Sequence, residues 1–181
     1  AQKPLFGRGG VRGVDDRAHQ NRKQMFLSLM SSERIEQMVE TTALWWSAYA
    51  RKWESMDRVV LYEELHEILT RAVCDWAGVP LAESEVGPRT RELTALFDAA
   101  GAVGPRHWWS RLERKRADRW IAGVIQQVRA GRIAPPEESA LHVIASHRDL
   151  NGTLLNPHAA AVELLNILRP TVAVAVYIVF A

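Results

Sequence analysis

An arginine followed by a proline, Arg169-Pro170, sits inside the most apolar run of a 181-residue chain. The run opens at Asn156-Pro157, where Asn suits the cap of a helix and Pro suits its first position, which needs no donor. It continues through Ala159, Val162, Leu164, Leu165, Ile167 and Leu168, then Val172 to Ala181. A helix apolar on every side belongs inside a larger fold. Proline in its middle removes one ladder hydrogen bond and crowds the preceding turn, at about 3 kcal/mol. Arginine keeps its charge at any ordinary pH. Its helical neighbours three and four places away are Leu165, Asn166, Val172 and Ala173, none of them acidic. A buried guanidinium without a partner is too costly to be accidental, so an anion from outside the helix is expected to meet it. That anion is either a carboxylate of another helix or a carboxylate or phosphate ligand. A membrane span is the third reading, for the run has nearly the required length of about 20 residues. Glu163, Asn166 and Arg169 within it argue against one.

A second pair with chemical potential is His19 and Lys23. Four residues apart on a helix, they share a face. Together they could hold an anion, or form part of a solvated basic face. Other constellations fail on inspection. Gly7 and Gly9 begin a dinucleotide fingerprint, but Arg12 stands where its third glycine is needed and no strand precedes it. His66-Glu67 begins a zinc-protease motif, yet Thr70 replaces the second histidine. No Gly-x-Ser-x-Gly and no paired metal-ligand spacing occurs. Cys74, the one cysteine, falls among apolar residues and reads as a buried structural thiol. A chain with one cysteine forms no internal disulfide, which suits a reducing cytoplasm.

The elements that must position these residues are helices. A Gly-rich loop over Leu5–Val14 leads to Asp15 or Asp16, either able to cap a helix running to Met30. Ser31-Ser32 starts a second, whose Ile35, Met38, Val39, Trp45, Trp46, Tyr49 and Trp53 repeat at steps of three and four and are expected in the core. Tyr62 to Trp76 makes a third, stopped by Gly78 and Pro80. Ser84–Ala100 is a fourth, with Leu93, Leu96, Phe97 and Ala100 on one face. His107–Ala130 combines Arg111, Arg114, Lys115, Arg116 and Arg119 with tryptophans. Its inward stripe of Ala117, Trp120, Ile121, Val124 and Val128 marks the charges as a solvated face rather than a nucleic-acid surface. Pro135-Pro136 restarts the chain into Glu138–His147, and Asn151-Gly152 turns it back to the apolar helix. No stretch alternates as a strand, so the fold class is all-α with about seven helices. Composition is that of one globular domain: 48% hydrophobic, 24% charged and a net charge of +2. The apolar finish at Tyr177–Ala181 and the start at Ala1 lead us to expect a piece of a larger protein, truncated at both ends.

Four stretches together resemble one family: the Gly-rich loop running into His19–Met30, Trp76-Ala77-Gly78-Val79-Pro80-Leu81, Gly101–Trp108, and Glu163–Pro170. They are similar to fatty-acid peroxygenases, the hydrogen-peroxide-using branch of the haem-thiolate cytochromes P-450. The resemblance runs the whole length, and Arg169-Pro170 is its most specific part. It implies that residues 1–181 form part of the helical domain of such an oxygenase, ending within the long central helix over the haem. It implies that Arg169 binds the fatty-acid carboxylate, which then serves as general acid/base, and that Pro170 breaks the helix to make room for peroxide. His19 and Lys23 would meet the propionates of haem b. Phe6 and Arg12 would lie near the distal pocket, with Phe97 and Ala100 toward the substrate channel. No redox partner is implied. Family members usually carry Gln or His where this chain has Arg12. The family's haem-ligating cysteine lies beyond the central helix, so the axial ligand is expected outside this chain and Cys74 is not promoted to it. A reductase-dependent monooxygenase with a structural Arg169, and a non-catalytic all-α interaction module, are the competing readings.

Overall fold

The computed structural model describes residues 16–98 and 105–180. Phe6, Arg12 and Ala100 therefore lie outside the described residues. Among those described, the helices are α1 (Asp16–Ser28), α2 (Ser32–Trp53), α3 (Leu61–Ala77), α4 (Val86–Asp98), α5 (Pro105–Arg129), α6 (Ala140–Ser146), α7 (Pro157–Ala173) and α8 (Ala175–Phe180). A short 3-10 turn at Glu83–Glu85 precedes α4. The described residues contain no strand, only an isolated antiparallel bridge between Arg148 and Leu154. The all-α expectation holds, with one helix more than expected because the long apolar helix divides at Val174.

The boundaries follow from local chemistry. Ser31 Oγ accepts the Arg34 N–H at 3.3 Å, and Asn156 Oδ1 accepts the Ala159 N–H at 2.8 Å. Each satisfies one backbone donor that a helix start leaves free. Ser139 does the same for α6, accepting the His142 N–H at 3.2 Å, which starts that helix two residues later than expected. Gly78 ends α3 in the left-handed region at φ 73°, which glycine adopts without a Cβ penalty.

Helix α7 is the axis of the fold. It packs against α3, α4, α5 and α6, while α8 lies against α3. Leu164, Leu168 and Val172 of α7 are fully buried with Ile68 and Val73 of α3, Leu93 of α4, Ile121 and Ile125 of α5, and Leu141 and Ile144 of α6. The cationic residues Arg111, Lys115, Arg116 and Arg119 of α5 are exposed, and Ala117, Ile121 and Val124 face inward, as the spacing predicts. Pro157–Phe180 is long and apolar enough to cross a membrane by length and composition, but half of its most apolar window is buried among the other helices. A core helix passes the same test.

The aromatic stripe of α2 needs correction. Tyr49 is buried and Met38, Trp45 and Trp53 are half-buried, but Ile35, Val39 and Trp46 are exposed. The reason is geometric: α2 packs chiefly on α3, and one neighbouring helix covers only a narrow strip. At the edge of that strip, the indole N–H groups of Trp45 and Trp53 donate to Asp75 Oδ2 at 2.6 Å and Glu64 Oε2 at 2.8 Å.

Candidate functional site

Two faces carry the candidate residues. One belongs to α7 itself. Arg169 is only 7% exposed although its helix is otherwise apolar, and Pro170 beside it faces outward. The helix does not break at the proline, as expected, but runs through it to Ala173. Thr171 Oγ1 donates to the Ile167 carbonyl at 3.0 Å, and the interruption comes at Val174, whose N–H bonds Thr171 O at 3.3 Å instead of continuing the ladder. From there on, Val174, Tyr177 and Ile178 are exposed apolar residues.

The other face belongs to α1. His19 and Lys23 are both exposed and share one side of the helix, with Leu27 one turn further at 61% exposure. Met25 and Leu29 turn inward. An open side with two cationic or donor groups followed by an apolar surface fits a flat apolar macrocycle bearing carboxylates, the chemistry of haem and its propionates. The iron ligand is a separate matter. Among the described residues no group of three or more His, Cys, Asp or Glu could hold a metal ion. Cys74 is fully buried, and desolvation raises its thiol pKa far above the ordinary value, so it stays protonated.

The two faces are joined by polar residues whose roles the sequence did not disclose. Arg22 Nη1 meets Glu163 Oε1 of α7 at 2.7 Å, with Glu163 wholly buried. Asn166 Nδ2 donates to Glu163 Oε2 at 3.3 Å. Asn21 Oδ1 lies 2.7 Å from His147 Nε2. A signal for the first pair was present: Arg22 falls on the apolar side of α1 with Met25, and Glu163 lies inside an apolar helix. Two opposite charges forced inside need each other.

Burial, and then the nearby Arg22 charge, push the His147 pKa below its ordinary value. A depressed histidine pKa means that the unfolded chain binds the proton more readily, so this contribution to stability is present above about pH 6.5 and is lost as pH falls through the folded pKa. We expect His147→Gln to flatten the acid side of a plot of thermal midpoint against pH between about 7 and 5. An unchanged slope would remove His147 from the acid response.

Phe97 is half-buried on α4 with its ring centroid 5.9 Å from that of His66, which in turn lies 4.3 Å from Tyr62. Tyr62 reaches Phe180 at 5.7 Å. Phe97 therefore belongs to an aromatic wall of α3 and α8 that the sequence reading did not identify. A surface cavity of about 410 Å³ between α4 and α5 is lined by residues such as Arg91, Trp109 and Arg116 and holds none of the candidate residues.

No protein-family model matches the chain. Solved structures do. Cytochrome P450SP alpha in complex with (R)-ibuprofen is 52% identical with a TM-score of 0.93, the match covering 98% of this chain and 44% of that one. Cytochrome P450EX alpha with myristic acid is 44% identical with a TM-score of 0.92, over 99% of this chain and 44% of that one. Ligand-free cytochrome P450 OleT is 31% identical with a TM-score of 0.92, over 97% and 43%. The chain spans less than half the length of these relatives. Similarity at this level, in sequence and in overall backbone, fixes the family: over the stretch it spans, the chain belongs to the CYP152 family of cytochromes P450.

Proposed function

We propose that the intact protein oxidises long-chain fatty acids with hydrogen peroxide, by hydroxylation near the carboxyl end or by decarboxylation to a terminal alkene. The observation that carries this reading is the buried Arg169 followed by Pro170 in the apolar central helix. It gains support from a relative described with myristic acid. Haem b would supply the oxygen transfer from peroxide when bound. Arg169 binds the substrate carboxylate, its planar fork matching two carboxylate oxygens and its charge fixed at every working pH. A carboxylate held there, in a site walled by apolar α7, is placed to take a proton at one oxygen and return it, so the substrate supplies the general acid/base group. Pro170 leaves this stretch of α7 without one N–H and exposes its ring, making room beside the guanidinium. His19 and Lys23 hold the propionates. Phe97 lies toward the substrate channel. Hydroxylation converts fatty acid and peroxide to hydroxy acid and water; decarboxylation yields alkene, carbon dioxide and two waters.

The test is turnover by the purified intact holoprotein. Peroxide alone should support oxidation of a long-chain fatty acid, and NADPH with redox partner proteins but no peroxide should not. The reverse result would make the protein a reductase-dependent monooxygenase, with Arg169 in a structural pair. Absence of turnover under both conditions, with haem bound, would leave only the interaction-module reading.

A further inference from the structure

Helix α1 is held by a few apolar side chains: Met25, with Leu29 just past its end, is buried, and the half-buried Phe26 packs against the same core. Such an anchor resists separation but fixes rotation and sliding poorly, since apolar contact is non-directional. The directional contacts lie elsewhere. Arg22 reaches across 141 residues of sequence to Glu163 at 2.7 Å, with side-chain exposures of 12% and 0%. One residue earlier, Asn21 meets His147. The His147 carbonyl accepts the Leu155 N–H at 3.3 Å, immediately before the Asn156 cap of α7. Helix α1 is therefore pinned to α7 directly at Glu163 and indirectly at the segment entering α7.

We infer that the Arg22–Glu163 pair, with Asn21–His147 beside it, is a positioning clamp that sets the haem-facing side of α1 in register with Arg169. Arg22 lies between His19 and Lys23 in sequence but on the inward side of α1, and Glu163 precedes Arg169 by six residues, about 9 Å along the helix. A slip of α1 against α7 changes the distance between the propionate-binding face and the carboxylate-binding guanidinium. Arg22 and Glu163 are positioning residues: they act through His19, Lys23 and Arg169. The inference rests on the proposed haem and substrate roles of those three.

The informative variant replaces the pair with apolar residues of similar size, Arg22→Met/Glu163→Leu, in the intact holoprotein. Apolar replacement of a buried ion pair is often neutral or stabilising, so the fold survives while the directional contact is lost. We expect haem content and thermal midpoint to stay near those of the parent. The fatty-acid-induced shift of the haem Soret band should shrink, with a dissociation constant several-fold higher. Peroxide-driven kcat should fall on the order of tenfold, since misplacement by about 1 Å is costly to catalysis. Glu163→Gln, nearly identical in shape, should show the same direction of change and serves if the double variant does not accumulate. Parent-like Soret titration and kcat in a folded, haem-loaded variant would overturn the clamp. The underlying haem reading is checked separately by His19→Ala/Lys23→Ala. If that variant loses haem while the clamp variant behaves as the parent, the clamp alone fails; if it retains full haem occupancy, the haem reading fails.

Discussion

In the intact protein, Arg169→Ala should reduce peroxide-driven kcat/KM for a long-chain fatty acid by at least about a hundredfold. Hydrogen bonds to charged groups contribute about 1.5–3 kcal/mol each, and a guanidinium makes two to a carboxylate, so roughly 3–6 kcal/mol is at stake. Each 1.4 kcal/mol corresponds to about a tenfold change. The loss should appear in kcat as well as KM, because a carboxylate that is not held cannot serve as acid/base. Arg169→Lys should recover only part of the rate: its ammonium keeps the charge but not the planar fork. Arg169 is 7% exposed, so the haem spectrum and thermal midpoint of each variant must accompany the kinetics to separate lost chemistry from lost structure. Turnover within a few-fold of the parent in a folded, haem-loaded Arg169→Ala variant would reject the carboxylate role and favour a structural pair.

How far the sequence leads depends on whether a residue acts within its own helix or across two. Ser31, Gly78 and Asn156 act on neighbours three or four places away, and their caps and stops were legible because that chemistry is local. Arg169 was legible because burial of a permanent charge in an apolar helix is itself anomalous. The α2 stripe was misread because periodicity reveals which face is apolar, not how many helices arrive to cover it; only α3 packs substantially there. The displaced helix break has a similar origin. Proline marks where a donor is missing, yet α7 keeps its helical path through Pro170 and the ladder is interrupted only at Val174. Pairings such as Arg22 with Glu163 and Asn21 with His147 join segments more than a hundred residues apart, and no spacing rule within one helix connects them. Of the four residues only Glu163 stood out in the sequence, as a charge inside an apolar run; the partnerships required the fold.

Gly78→Ala should be among the most damaging small substitutions outside the site, and two separable causes make it so. The first is backbone conformation. Gly78 sits at φ 73°, where a residue with a Cβ is disfavoured by about 1–2 kcal/mol. The second is space: a Cβ there would come within 2.8 Å of Ser139 Oγ and 2.9 Å of Ser139 Cβ. Ser139 cannot retreat freely, because its hydroxyl caps α6, and loss of such a cap costs about 1 kcal/mol. Together these amount to roughly 2–3 kcal/mol, enough to lower the thermal midpoint of the intact holoprotein by several degrees. Gly152 provides the comparison. Its φ is 75°, but an added Cβ meets nothing within 4 Å, so Gly152→Ala carries the backbone cost alone. In a Ser139→Gly background the two nearest crowding atoms are gone and only Pro135 Cβ, at 3.3 Å, remains close, so the added effect of Gly78→Ala should fall part of the way toward that of Gly152→Ala, a non-additivity that reports direct contact. Equal midpoints for Gly78→Ala and Gly152→Ala would show that the junction of α3 and α6 yields without cost. The expected inequality would show that it is a rigid joint. Helices α3 and α6 both flank α7, so a rigid joint there also constrains the helix that carries Arg169.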